Sequence, residues 1–215
     1  MSNNKNSFSL LYVLLAAVFT TCLVVANIIA GKLWAAPFGL TLTTGVFCFP
    51  LVYWINDIVP EVYGGNKARF MILLGFAANL IAVIFFMFCL AAPYPPFWQS
   101  QEAFVAVLGF TPRLLIASFI AYLVGTNLNT LVMTAMKRLT KGKWLWSRTI
   151  GSTVVGEFFD SVMFINIAFM GVLPQDALLT MVVMQWLFKV AYEVVMTPLT
   201  YVVIGWVKKY EGLEA

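Results

Sequence analysis

Residues 68–92 read ARFMILLGFAANLIAVIFFMFCLAA, twenty-five residues whose only charge is Arg69 near the start. As a helix this run rises about 1.5 Å per residue, enough to cross the roughly 30 Å of a bilayer's hydrocarbon. A helix apolar on every side cannot turn a face to water, so it belongs in a large core or in lipid. Five further stretches have the same character, at 8–31, 42–59, 114–136, 150–173 and 178–207. The second is the shortest and is expected to end in a broken turn at Pro60. Connections are short, which makes the spans antiparallel neighbours. The expected fold is therefore an all-α integral membrane protein, a compact bundle of six transmembrane helices forming one domain over residues 1–215.

Composition excludes the soluble alternatives. Hydrophobic residues make up 62% of the chain and charged ones only 10%, where a soluble domain carries about a quarter charged. Cys22, Cys48 and Cys89 all lie inside apolar runs and read as packing residues, without a disulfide framework or metal site. Histidine is absent, which removes the commonest general base and metal ligand. No cofactor is expected. Lys5 before the first apolar run resembles a signal peptide, but the run is too long and five more follow, so it is expected to be retained.

Orientation follows from Lys and Arg. Ten of the thirteen flank one side: Lys5; Lys67 and Arg69; Lys137, Arg138, Lys141, Lys143 and Arg148; and Lys208 and Lys209. The other side holds Lys32 and Arg113. The positive-inside rule places both termini in the cytoplasm, N-in and C-in, in a bacterial inner membrane. The basic 137–148 loop then reads as a topology signal touching lipid headgroups rather than a nucleic-acid patch. Tyr94, Phe97 and Trp98 suit an interfacial loop on the opposite side, and Trp34, Trp144, Trp146 and Trp206 suit interface anchors.

Polar groups inside the spans carry the functional signal, because a charge at mid-membrane costs about 2.5–3.5 kcal/mol on insertion scales and calls for a partner or cavity. Glu157 and Asp160 are three apart on the fifth span, and Lys189 and Glu193 four apart on the sixth; each pair shares a face. Counting residues inward puts Glu157, Asp160 and Lys189 near the midplane, with Asn79 at similar depth and Asn127 and Asn129 further along the fourth span. A structural ion-pair network is one reading; a substrate site, where carriers bind their cargo, is the other and preferred one. Asp57 and Glu61, near the cytoplasmic end of the second span and beside Lys67 and Arg69, are expected to gate rather than bind. Ala26 and Ala30 form a small-xxx-small pair on the first span.

The run Phe49-Pro50-Leu51-Val52-Tyr53-Trp54-Ile55-Asn56-Asp57, followed by Glu61-Val62-Tyr63-Gly64 and Ala68-Arg69, resembles the signature of the queuosine precursor transporter family, also called the vitamin uptake transporter group. Asn27 with Lys32, Trp146 with Arg148, Asp160-Ser161, and Lys189 with Tyr192 and Glu193 extend it over nearly the whole chain. The resemblance implies uptake of 7-deazaguanine precursors such as the 7-cyano or 7-aminomethyl compound. The polar cluster suits that cargo: a carboxylate accepts the paired N–H groups of a guanine-like edge, an amide answers the ring carbonyl, and aromatic faces stack the bicycle. Glu157 or Asp160 is the candidate carboxylate, Asn27 and Asn127 are the candidate amides, and Lys189, Glu193 and Tyr53 complete the expected site. Glu157 stands where the family often has Gln, and the extra carboxylate favours the cationic aminomethyl compound. Thr126 is a second departure from Gln.

The expected partners are a small 7-deazaguanine and the lipid bilayer, with a homodimer suggested by the small bundle and no nucleic acid. The alternative is the substrate-binding subunit of an energy-coupling-factor vitamin transporter, which would need ATPase partners and would dock them through small residues of the first span such as Ala26 and Ala30. An enzyme is not expected: there is no HExxH, GxSxG or Walker A motif, and the acid pair shares one helix. Facilitated diffusion with intracellular trapping and proton coupling through Asp57, Glu157, Asp160 or Glu193 both stay open.

Overall fold

A computed structural model describes residues 8–36, 40–140 and 145–213. Lys5, Lys141, Lys143 and Trp144, and the side chains of Trp146 and Arg148, lie outside the described residues. The elements run α1 (Leu10–Ile29), β1 (Leu33–Ala36), β2 (Leu40–Thr43), a 3-10 turn (Thr44–Phe47), α2 (Phe49–Tyr63), α3 (Gly65–Ala91), α4 (Gln101–Leu108), α5 (Thr111–Leu139), α6 (Leu145–Phe169) and α7 (Gln175–Tyr210). Among the described residues, α1, α3, α5, α6 and α7 are long and apolar enough to cross a membrane. The outer faces of α3 and α5 expose Leu73, Phe85, Phe88, Ile116 and Leu131. So continuous an apolar exterior is stable only against lipid.

The second expected span is not one helix. Residues 42–59 divide into the end of β2, the 3-10 turn and most of α2. Pro50 explains the break: its ring nitrogen has no hydrogen to donate to the Val46 carbonyl, so α-helical bonding starts only here. Upstream, β1 and β2 pair antiparallel in the register Leu33↔Thr43 to Ala36↔Leu40. Ala36, Leu42 and Val46 press this hairpin onto Met184 and Phe188 of α7. Such non-helical backbone survives at membrane depth because it is self-paired and protein-packed. Pro60 does not break α2, which runs on to Tyr63. Gly64, at φ 87°, then turns the chain directly into α3.

Side-chain contacts define two ends. At one, the hydroxyl of Ser9 donates to Tyr63, Tyr63 donates to Glu211 at 2.8 Å, and Tyr12 donates to the Lys67 carbonyl at 2.9 Å. The starts of α1 and α3 and the ends of α2 and α7 therefore meet; this is the terminal end. At the other, the hairpin end, Arg113 at the start of α5 donates from Nε to the Ile167 carbonyl at 2.7 Å and from its guanidinium to that of Met170. It satisfies carbonyls that the C-terminus of α6 leaves unpaired. The segment from Thr44 to Tyr63 spans both ends, since Thr44 donates to the Ile29 carbonyl while Tyr63 reaches Ser9. At about 22 Å of α-helix and about 8 Å of 3-10 turn, it matches the bilayer core in length.

Small residues set the closest approaches. Ala26 and Ala30 are completely buried, and a Cβ on Gly45 would stand 3.3 Å from that of Ala30. The pair is spent inside the chain, which removes the feature offered for docking a partner subunit. Of the expected anchors, Trp34 packs into the hairpin against Phe47, whereas Trp206 is exposed and stacks on Tyr210. Tyr94, Phe97 and Trp98 are exposed at the hairpin end, and the loop that holds them also contains α4.

Candidate functional site

The α6 side chains of Glu157 and Asp160 and the α7 side chain of Lys189 meet halfway along the bundle. The Lys189 ammonium lies 3.0 Å from Glu157 Oε2 and donates a hydrogen bond to Asp160 Oδ2. Its side chain is 4% exposed, whereas Glu157 and Asp160 keep 21% and 20% of theirs open. From α2, the rings of Phe49 and Tyr53 lie 5.9 and 5.5 Å from the same ammonium, adding cation–π attraction in a desolvated place. One cation thus faces two carboxylates, and the acids are the members that a solute can reach.

Close helix packing positions the acids. A Cβ on Gly125 of α5 would stand 3.0 Å from Asp160 Cβ and 3.1 Å from the Gly156 carbonyl. One on Gly156 would stand 2.9 Å from Asn129 Cβ. Two glycines facing each other let α5 and α6 cross with backbones nearly touching, as small residues do in membranes.

The acids open into a cavity of about 290 Å³. Asp57, Glu157, Asp160 and Glu193 line it against Arg69 and Lys189, so four carboxylates face two cations. Asn56, Tyr122 and Asn129 add neutral polar groups. Thr153 donates to Glu193 Oε1 at 3.0 Å and holds that acid at the wall. The lining continues through Pro60, Arg69 and Thr200 toward the terminal end. Toward the hairpin end the bundle is shut by Phe164, Ile165, Ala168 and Phe169 packed on Leu114 and Met181. A smaller cavity of about 80 Å³ adjoins the first across Tyr53, Asp160 and Lys189, with Phe49, Phe76 and Phe164 in its walls.

Of the residues expected from sequence, Glu157, Asp160, Lys189, Glu193 and Tyr53 converge here. Two amides do not. Asn27 is buried and donates to Asn79 Oδ1 at 2.9 Å, tying α1 to α3 away from the cavity. Asn127 is exposed and bonds back to the Leu123 carbonyl at 2.7 Å, and Asn129, two residues on, takes the cavity-facing position. A helix rotates about 100° per residue, so neighbouring asparagines cannot share a face. Asp57 is also misplaced by depth counting: it lines the cavity, close enough to Glu157 and Glu193 for their charges to interact. Glu61 lies outside the cavity with 62% of its side chain exposed, 3.5 Å from Lys208 rather than beside Lys67. Lys67 instead sits over the rings of Phe8, Tyr12 and Tyr63.

Sequence reasoning missed Asn56, Arg69, Tyr122 and Gln185. Gln185 had a signal, since it lies one helical turn before Lys189 on the same stripe as Glu193.

Residues 43–203 match the family described as "Putative vitamin uptake transporter". The chain is 32% identical over 166 residues to a "Probable queuosine precursor transporter" of Bacillus subtilis (strain 168), covering 76% of this chain and 72% of that one. It is 30% identical over 131 residues to the "Queuosine precursor transporter" of Escherichia coli (strain K12), covering 61% of this chain and 57% of the relative. A Haemophilus influenzae relative, also named a "Probable queuosine precursor transporter", is 27% identical over 136 residues, 63% of this chain and 55% of its own. No solved structure matches. With its multi-pass apolar helices and the matched region enclosing α2 through most of α7, this chain belongs to the vitamin uptake transporter family.

Proposed function

We propose that this protein carries queuosine precursors, 7-deazaguanine bases, across a bacterial inner membrane into the cell. The observation that carries the reading is the mid-bundle cavity, in which reachable carboxylates stand beside aromatic rings. A guanine-like edge presents N–H and NH₂ donors side by side, and Asp160 or Glu157 is placed to accept both. Tyr53 and Tyr122 offer faces for the flat bicycle. The names of the bacterial relatives support the same cargo. Four carboxylates against two cations favour the cationic 7-aminomethyl compound over the neutral 7-cyano one.

The terminal end is assigned to the cytoplasm, because Lys67, Arg69, Lys137, Arg138, Lys208 and Lys209 flank it. The cavity then opens inward, and the Thr44–Tyr63 segment makes a sixth crossing. Asp57, at the cavity wall, takes a part in substrate passage; Glu61 does not. Nothing in this scheme asks for catalysis, and with Ala26 and Ala30 buried the carrier is taken to work without ATPase partners.

Purified protein in liposomes, offered labelled 7-aminomethyl- and 7-cyano-7-deazaguanine, is the test. Uptake by the chain alone supports the reading. Binding without uptake, restored only by added ATPase subunits, overturns it in favour of a partner-dependent subunit.

A further inference from the structure

Gln185 is 1% exposed, and neither its amide oxygen nor its amide nitrogen has a hydrogen-bond partner. Folding disfavours this arrangement strongly, because a primary amide brings two donors and an acceptor out of water together. The side chain lines the small inner cavity, one turn from Lys189, on the buried stripe of α7 that also holds Met181 and Val182. An unanswered amide aimed into an aromatic-walled pocket is a group kept ready for a ligand.

The inner cavity, at about 80 Å³, is too small for a whole bicyclic base, but it is continuous with the 290 Å³ cavity across Tyr53, Asp160 and Lys189. A flat ligand entering edge first between Phe49, Phe76 and Phe164 brings that edge to Gln185, while Asp160 stands alongside. In a 2-amino-6-oxo ring the carbonyl, the ring N–H and the NH₂ are consecutive. The carboxylate takes the two donors and leaves the carbonyl for an N–H donor. We infer that Gln185 is a specificity-determining residue of the inner pocket, its amide nitrogen donating to the ring carbonyl of a flat 6-oxo heterocycle. This deepens the transport reading and rests on it. It also fills the role that Asn27 and Asn127 do not occupy.

The test measures binding of 7-cyano-7-deazaguanine to the purified full chain, alongside thermal unfolding without ligand. The cyano compound is chosen because it is neutral and separates edge recognition from charge. Gln185→Leu should unfold at the same or a higher temperature, since it removes the unanswered amide, and should bind at least about tenfold more weakly. Gln185→Met, close in length and volume but without any N–H or O–H donor, should lose affinity likewise and serves if the Leu variant does not fold. The analogue lacking the ring carbonyl should bind parent and variants equally. Unchanged affinity for the cyano compound in either folded variant overturns the inference, as does destabilisation with affinity intact. A parent protein that binds none of the 7-deazaguanines sinks the transport reading as well, so the two failures are told apart by the parent measurement.

Discussion

Replacing Lys189 with Met keeps the aliphatic stem and removes the charge that holds the site together. The ammonium lies 3.0 Å from Glu157 and is bonded to Asp160. At an effective dielectric near 20, one unit pair at that distance is worth about 5–6 kcal/mol before desolvation is subtracted. Removing one partner from a buried cluster costs about 3–5 kcal/mol, because the remaining charges stay buried and uncompensated. Here the acids keep about a fifth of their surface open to the cavity, so Lys189→Met should cost about 3 kcal/mol, the low end. The same reasoning makes a second, opposite claim. Adding Asp160→Asn and Glu157→Gln to Lys189→Met removes the orphaned charges, and the triple variant should regain most of the lost stability. Thermal unfolding of parent, single, double and triple variants in one detergent measures both claims. A Lys189→Met protein as stable as its parent, or a triple variant no better than the single, would refute the view that this is a desolvated, mutually compensating triad.

Asp160→Asn and Glu157→Gln, tested singly, should each fold, and at least one should weaken 7-deazaguanine binding by about 1.5–3 kcal/mol, the worth of a charged hydrogen bond; unchanged binding with large destabilisation in both would make the cluster structural. Gly156→Ala puts a methyl 2.9 Å from Asn129 Cβ and must push α5 from α6, costing about 1–3 kcal/mol in unfolding experiments; a neutral result would mean that the crossing is looser than these distances state. Asp57→Asn should slow transport measurably, whereas Glu61→Gln should leave both transport and stability within about 1 kcal/mol of the parent, since its pair with Lys208 is exposed. Reporters fused after residue 213 and within 93–96 should fall in opposite compartments, and a common compartment would reject the inward-open assignment.

The bundle itself was legible in the chain because the bilayer reduces folding to a one-dimensional question. A run such as 68–92 must become a helix, since lipid offers no partner to an unpaired backbone. Helical spacing likewise put Glu157 with Asp160, and Lys189 with Glu193, and the cost of buried charge brought the two pairs together. Apolarity alone did not show how the 42–59 run folds, because hydropathy measures the surroundings and not the hydrogen bonds. Pro50 and the hairpin contacts with α7 decide that. Nor did depth along a helix determine direction around it: Asn27, Asn127 and Asn129 all lie inside spans, yet only Asn129 faces the cavity. Rotation of each helix is set by its closest approaches, here Gly125 on Gly156 and Ala30 under Gly45, and these are properties of pairs of helices. Gln185 belongs to the same class. Its position in the sequence says that it is polar and inside a span; only the packing of the neighbouring helices leaves it without a hydrogen-bond partner among the described residues.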